Sequence, residues 1–534
     1  MRELWWKHGI VYQIYPRSFQ DSNGDGIGDL EGVIQRLDYL NDGTPESLGI
    51  DAIWFSPTFP SPMADFGYDV SDYCDVHPDF GDLATMDRLV AEAHRRGIRI
   101  ILDFVPNHSS SEHPWFLDSR SSRDSTKRDW YVWRDARPDG GPPNNWIAAF
   151  GGPAWEWDQH THQYYLHSFL VEQPDLNWRN PEVERAMHDV LRFWLERGVD
   201  GFRIDVMDRI VKDELLRDNP PEPNQRIAAL AQTAQQRHVF DRDWPEIFDA
   251  VRRIRRVVDE YPERMTVGEV FGGPDNIVKY YGGAAADGLH LAFNFPLVRV
   301  WFERWRAEHV RRHVDAFEAA LPAGCWPNYV LGNHDVDRFV SRVDRDGCGQ
   351  ERARVAAMLL LTLRGTPFIY YGEEIGMENV EIPPAMLQDP ARFYARGRDP
   401  ERTPMQWSRS GGFTSGDPWL PYGDLGINVD DQRRDAGSLL SLYRRLIWYR
   451  KSSDALRFGA YTPVEGLPEG VFGYTRVHED DRLLVLLNFA VSDVRCDLPA
   501  GLKVAEALIG THDEPRVGST VELRRNEGLL LRLA

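Results

Sequence analysis

Residues 200–206, DGFRIDV, carry two charged side chains, Arg203 and Asp205, in a run that otherwise reads as a buried strand. Charge in such a place is costly unless it is paired or used. Two further stretches have the same form: MTVGEVF puts Glu269 behind a short apolar segment, and YVLGNHDVDR puts His334 and Asp335 behind another. Each alone is more often an ordinary acidic strand end. Three of them, with Arg203 and His334 alongside, fit one shared rim where carboxyl groups can cooperate, and a parallel barrel supplies such a rim at the C-terminal ends of its strands.

The elements that must build this rim follow in order along the chain. Residues 9–15 alternate like a strand, DLEGVIQRLDYL from Asp29 has helical period, and IDAIWFSP from Ile50 is a strand again. A helix at residues 83–96 leads into RIILDFV, so the chain opens as a parallel α/β fold. The helix PEVERAMHDVLRFWLERG precedes DGFRIDV, and a helix-rich stretch is expected at residues 212–264. LHLAFNF, YVLGNHD and TPFIYYGEE read as strands six to eight, with helices at residues 311–321 and 351–364, and SLLSLYRRLIWYRKS reads as the last helix. The expected fold is a (β/α)8 barrel over residues 1–108 and 175–454. An irregular segment without clear helical period fills 109–174, a second one 373–435, and the short alternating runs of 455–534 read as an antiparallel β domain.

Between the first strand and its helix, DSNGDGIGD sets oxygen-bearing side chains at Asp21, Asn23, Asp25 and Asp29 among glycines. Alternating hard oxygens on a tight turn suit calcium; a solvated Asp/Gly turn is the equal alternative on spacing alone.

The 534 residues exceed one ordinary domain and suffice for a barrel with additions. A formal charge of -21 argues against nucleic acid or an anionic membrane as the main partner. The cysteines at 74, 325, 348 and 496 lack metal-ligand spacing, and free thiols in a reducing cytoplasm are the simpler reading. No signal peptide or membrane-spanning run is read from the sequence.

GFRIDV, VGEVF, LGNHD and DFVPNH, the last at residues 103–108, resemble in order the strand-end signatures of the alpha-amylase superfamily of glycoside hydrolases. The similarity runs from WWKHGIVYQIYPRSF to ERTPMQW and is strongest to the alpha-glucosidase and oligo-1,6-glucosidase group. It implies that 109–174 is a small domain inserted after strand three, with QPDLN at residues 173–177 as the marker of the oligo-1,6-glucosidase group. It implies Asp205 as nucleophile, Glu269 as acid and then base, and Asp335 as the third carboxylate, acting through a covalent glucosyl intermediate. Two carboxyl groups supply what breaking an acetal needs, a proton on the departing oxygen and help for an oxocarbenium-like carbon. Arg203 would orient Asp205, while His108 and His334 would donate to sugar hydroxyls and Asp103 would support the site. Asp65 and Arg402 would clasp the terminal hydroxyls of a non-reducing glucose, with Tyr68 stacked on its face, closing an exo-acting pocket. Phe150 and Phe169 would face the leaving sugar; single aromatics are otherwise more often core. Similar loops in this group bind structural calcium, with the Ile27 carbonyl completing the set, and the chemistry itself needs no cofactor.

The expected substrates are short α-glucosides. Val206 after the nucleophile leans toward α-1,6 linkages, whereas RDNPPEPN resembles bacterial alpha-glucosidases that prefer short α-1,4 substrates. A transglucosidase or sugar isomerase is the rival within enzymes, although no arginine-rich loop of sucrose isomerases is evident at residues 336–342. A catalytically inactive amylase-like binding subunit is the rival of another class; retention of all three carboxylates stands against it. Whether the chain is a monomer or a homo-oligomer is open at this stage.

Overall fold

The computed structural model describes residues 4–390, 397–518 and 520–534. Eight parallel strands form one nearly closed sheet: β1 Val11–Ile14, β2 Ala52–Phe55, β3 Arg99–Phe104, β4 Gly201–Ile204, β5 Met265–Gly268, β6 Leu291–Ala292, β7 Asn328–Val330 and β8 Thr366–Tyr370. The order is β7-β8-β1-β2-β3-β4-β5-β6, with every hydrogen-bonded pair parallel. No ladder joins β6 to β7. The Asn328 side chain bridges that seam instead, its Oδ1 accepting from the Asn294 amide at 3.0 Å.

The strands are buried on both faces, as parallel sheets under helices must be. Val11, Ala52, Trp54, Ile101, Met265, Val267, Val330 and Phe368 fill the barrel interior. Ile53, Phe55, Ile100, Leu102, Phe202 and Ile204 point the other way, into the layer under the helices Leu30–Leu40, Leu83–Arg95, Pro181–Glu196 and Ile247–Val258. Gly201 is required where β4 meets β5, since a Cβ there would lie 2.7 Å from the Met265 carbonyl oxygen. Several helices begin on side-chain caps: Asp29 accepts from Gly32 N, Asp82 from Thr85 N, and Asn180, ahead of Pro181, from Glu182 N.

Residues 212–264 are less helical than expected, with one turn at Gln225–Ala228 and one full helix at Ile247–Val258. Pro220, Pro221 and Pro223 stand in the stretch that stays irregular. Between β3 and the helix Pro181–Glu196 the chain forms the short helix Pro114–Ser121 and a three-stranded antiparallel sheet of Trp133–Arg134, Gln163–Leu166 and Trp155–Asp158. After the helix Leu439–Ser452 a five-stranded antiparallel sheet runs in the order Ala460–Pro463, Val471–His478, Asp481–Asn488, Gly528–Leu533, Val504–Gly510. A smaller sheet joins Val494–Cys496, Val521–Leu523 and Arg516–Val517. The fold is therefore a (β/α)8 barrel with a C-terminal antiparallel domain. Among the described residues no helix is long and apolar enough to cross a membrane, and the four cysteines are free thiols.

The C-terminal domain is tied to the barrel by a buried cation. Arg476, on Val471–His478 and fully covered, donates to the carbonyls of Thr362 at 2.7 Å and of Leu456 and Gly459 at 3.0 Å. Removing it strands three buried acceptors. Arg476→Leu is expected to destabilise the fold by about 2–4 kcal/mol in urea unfolding followed by tryptophan fluorescence; an unchanged midpoint would contradict this tie.

Candidate active site

The period of two along each strand explains why charged groups converge. On β3, Ile101 faces the barrel interior and so does Asp103; on β4 the same face carries Gly201, Arg203 and then Asp205; on β5 it carries Met265, Val267 and then Glu269. Register places Asp103 beside Arg203 and Arg203 beside Val267. The interior is apolar below this level and charged at it.

Arg203, 1 % exposed, is the hub. Its Nη1 donates to Asp103 Oδ1 and to Asp205 Oδ1, each at 2.7 Å, and its Nη2 donates to Glu269 Oε2 at 2.6 Å. The guanidinium also lies over the Trp54 ring at 5.3 Å. Burial pushes Asp205 well above the usual carboxylate range; Arg203 opposes this, and the charges of Glu269 and Asp103 add to it. Burial likewise pushes Asp103 up to about 6 against the pull of Arg203. Three carboxyl groups on one guanidinium repel one another, so each ionisation raises the cost of the next.

Val206 turns the chain sharply after Asp205, with φ 35° and ψ 49°, a left-handed conformation that a β-branched residue rarely adopts. The turn aims its amide at Glu269 Oε2, 3.1 Å away.

A second cation organises the far side. Arg398 donates to Asp65 Oδ1 at 2.7 Å, to Asp335 Oδ1 at 2.9 Å and to both oxygens of Asp389 at 2.8 and 2.9 Å. Arg402 is expected to clasp sugar hydroxyls beside Asp65, but the arginine that bonds Asp65 and lines the cavity is Arg398. Arg402, 1 % exposed, lies beneath, donating to the His334 carbonyl at 2.7 Å and to Asp335 Oδ1 at 3.1 Å. Burial would push Asp335 up, yet an imidazolium at His334 would lower it, and Arg398 and Arg402 do lower it, so that it lies well below the usual range. His334 is neutral at pH 7, because burial pushes its imidazole down to about 3. The two guanidiniums therefore do the holding.

A cavity of about 400 Å³ opens above these groups. Asp65, Tyr68, His108, Phe150, Phe169, Asp205, Val206, Glu269 and Asp335 all line it. Arg203, His334 and Arg402 stand behind that lining. His334 is fully covered, with Nδ1 2.8 Å from the Gln13 amide and Nε2 2.7 Å from the Tyr68 hydroxyl, so its expected donation to a sugar is taken up by protein partners. Tyr68 in turn donates to Asp103 Oδ2 at 2.9 Å.

Sequence reasoning missed Arg398 and Gln173. Arg398 is the first arginine of RDPERTP, four residues before the one chosen. Gln173 heads QPDLN, and its amide lies 3.1 Å from both Asp65 Oδ2 and His108 Nε2, joining two lining residues. Arg209, Arg242, Phe271, Phe295 and Arg299 also line the cavity; Phe271 ends the VGEVF signature, and the other four lie outside the four signatures.

The loop at residues 21–29 lies apart from this cavity's lining. Asp21 accepts from the amides of Asn23, Gly24 and Gly26, each at 2.8 Å, and from the Thr414 hydroxyl. Asn23 Oδ1 accepts from Asp25 N, Asp25 Oδ1 from Ile27 N, and Asp29 from Gly32 N and Ser22. Among the described residues no group of three or more His, Cys, Asp or Glu converges as a metal cluster. Each carboxyl oxygen of Asp21 already accepts two bonds, whereas Asn23 Oδ1 and Asp25 Oδ1 accept one each and keep a lone pair that a hard cation could share.

The buried, neutral His334 makes a thermodynamic signature. Its folded pKa lies below its unfolded value of about 6.5, so as pH falls below 6.5 the unfolded chain takes a proton that the folded one refuses, and stability is lost. Between pH 8 and pH 5 this group alone should cost about 2 kcal/mol. Comparing urea unfolding of the natural chain and His334→Gln at both pH values, the stability difference should shift by that amount in favour of the variant at pH 5; a pH-independent difference would contradict a neutral His334.

With this geometry in place, similarity to known proteins is informative. The description "Alpha amylase, catalytic domain" matches residues 13–459. The chain is 44% identical over 527 residues to a probable alpha-glucosidase of Rhizobium meliloti, covering 95% of this chain and 93% of that one. It is 37% identical to an oligo-1,6-glucosidase of Parageobacillus thermoglucosidasius, covering 98% of each. The crystal structure of an alpha-glucosyl transfer enzyme, XgtA, superposes with a TM-score of 0.92 at 40% identity over the whole of both chains. A matched catalytic domain over most of the length, relatives at this identity and carboxyl groups at the ends of β4 and β5 lead to one assignment: the chain belongs to the alpha-amylase family of glycoside hydrolases.

Proposed function

We propose that the cavity hydrolyses short α-glucosides from the non-reducing end, as an exo-acting α-glucosidase that retains anomeric configuration. The observation that carries this reading is the shared guanidinium of Arg203, which holds Asp205 on one nitrogen and Glu269 on the other. One guanidinium bonded to both keeps the two carboxyl groups near one another. Retaining glycosidases keep theirs about 5–5.5 Å apart, whereas inverting ones need a wider gap for water. Asp205 attacks the anomeric carbon as the bond to the leaving oxygen breaks, and Glu269, as the general acid, gives that oxygen a proton. Glu269 then takes a proton from the water that releases glucose. Asp335, held ionised by Arg398 and Arg402, grips sugar hydroxyls as the ring flattens. Arg398, Asp65 and Asp389 seal the end of the pocket, which suits one glucose and not a through-going chain.

For linkage, the reading is α-1,6. Val206 lines the cavity directly after Asp205, and the similar oligo-1,6-glucosidase supports the choice. The alternative, an α-1,4-glucosidase with transglucosylation, is favoured by the likeness to an alpha-glucosyl transfer enzyme and by the apolar mouth of Phe150, Phe169, Phe271 and Phe295, where a sugar acceptor could displace water. Initial rates on isomaltose, maltose, sucrose and trehalose, with chromatography of the products, separate these. Glucose mainly from isomaltose is expected; disaccharide transfer products from maltose would select the alternative. In the same preparation, 5-fluoro-α-glucosyl fluoride should add one fluoroglucosyl mass to the protein at Asp205, and no adduct would remove the covalent step.

The loop of Asp21, Asn23, Asp25 and Asp29 fits a structural calcium, with the Ile27 carbonyl as a further donor. Its donors are hard oxygens only, the set calcium prefers. Millimolar calcium added to chelator-treated protein should raise Tm by a few degrees without changing kcat; an unmoved Tm would leave the loop as a hydrogen-bonded turn.

A further inference from the structure

Besides Arg398, three arginines line the cavity: Arg209, Arg242 and Arg299. They come from three segments, the turn Met207–Arg209 after β4, the loop before the helix Ile247–Val258, and the loop after β6. Arg209 is 3 % exposed, and its guanidinium lies over the Phe169 ring at 5.3 Å; that of Arg299 lies over Phe271 at 5.5 Å. The Nε of Arg242 is buried and has no acceptor. Among the described residues, none of the three guanidiniums forms an ion pair within 4.0 Å or donates a hydrogen bond to the protein, whereas Arg203, Arg398 and Arg402 are all bonded to carboxylates.

Acids behind this wall, Asp208 and Asp241, feel the charges of Arg209 and Arg242, but among the described residues none lies within ion-pair distance of the three. Asp241 is bonded to His238 at 2.7 Å and Asp175 to Lys212 at 2.6 Å. Glu269 is bonded to Arg203. Asp208 is buried with both carboxyl oxygens unpartnered. Burial first, and then the charge of Arg242, lower Arg209 to about 10 against the pull of Asp241, Asp208 and Asp175, and lower Arg299 against that of Glu269. Clustered, half-desolvated guanidiniums without acceptors are costly, and a neutral sugar, which offers only hydroxyls, does not require their charge. Their planar forks match phosphate and carboxylate oxygens.

We propose that the leaving-group side of the cavity binds an anion, so that the preferred substrate is an α-glucoside whose departing part carries a phosphate or a carboxylate. This rests on the glucosidase reading above and specifies its substrate class. The reaction is unchanged: the glucosyl–oxygen bond breaks, water supplies the hydroxyl of glucose, and the anionic alcohol leaves with the proton from Glu269. Since the charge sits on the departing part, it never has to enter the sealed end, where Asp65 and Asp335 would repel it.

Matched pairs of substrates test this. kcat/KM should be measured at 50 and 500 mM NaCl for trehalose 6-phosphate against trehalose and for α-glucosylglycerate against α-glucosylglycerol, with p-nitrophenyl α-glucoside as the control. The anionic member of at least one pair is expected to be favoured ten-fold or more at low salt. That preference should shrink at high salt, and Arg242→Gln and Arg299→Gln should each reduce the anionic-to-neutral ratio at least five-fold. Preference in the first pair alone assigns phosphate, and in the second alone carboxylate. If neutral members are turned over as well as anionic ones, or anionic members are not turned over while the nitrophenyl glucoside is, the proposal falls and the glucosidase reading stands. Failure on every substrate, the nitrophenyl glucoside included, would sink that reading as well.

Discussion

One buried guanidinium sets the terms for the top of the barrel. Arg203 has almost no contact with solvent, and three carboxyl groups from three adjacent strands close on it within 2.7 Å. Removing Arg203 from such a cluster would leave buried carboxylate charge uncompensated, at a cost of roughly 3–5 kcal/mol. The strands must therefore end at one level and in one register, and the rest of the barrel serves that requirement. Gly201 lets β4 lie against β5, and the apolar interior of Trp54, Ile101, Met265 and Val267 walls the cluster off from below. The left-handed turn at Val206 is the local strain that results, of the order of 1–3 kcal/mol, held where an amide is aimed at Glu269.

A second layer of charge, centred on Arg398, does a different job. It joins Asp65 after β2, Asp335 after β7 and Asp389 after β8, segments that no strand ladder brings together at this height. With Gln173 reaching from the segment after β3 to Asp65 and His108, the wall is stitched by side chains that themselves face the cavity. The closed end of the pocket is thus a consequence of ion pairing between loops, and its shape depends on the protonation of the same groups that a sugar would touch.

What was legible in the sequence divides along the same line. Groups at strand ends were readable, because a period of two fixes which face a residue takes: once Asp205 and Glu269 were placed after buried strands, Asp103 and Arg203 had to point inward with them. The loops were harder. RDPERTP offers two arginines four residues apart, and local pattern does not say which reaches Asp65; the structure gives that place to Arg398 and puts Arg402 under Asp335. His334 was legible as part of the site, but not as a covered group held by Gln13 and Tyr68, since its burial comes from partners more than 200 residues away. The stretch from 212 to 264 is less helical than its pattern suggests, because Pro220, Pro221 and Pro223 interrupt it. Arg242 and Arg299 left no trace in pattern at all.

The two ends of the cavity therefore differ in the sign of what they leave unsatisfied. At the sealed end, Asp65, Asp335 and Asp389 meet Arg398 and Arg402, so charge is matched within the protein and hydroxyl groups are the natural guests. At the leaving-group side, Arg209, Arg242 and Arg299 face the same space without acceptors, and the nearest acids are engaged elsewhere or lie buried behind them. A ligand that carries its charge at one end would settle in one direction only, with its uncharged glucose at the carboxylates. Orientation of that kind needs no extra shape complementarity, because the repulsion of the wrong placement supplies it.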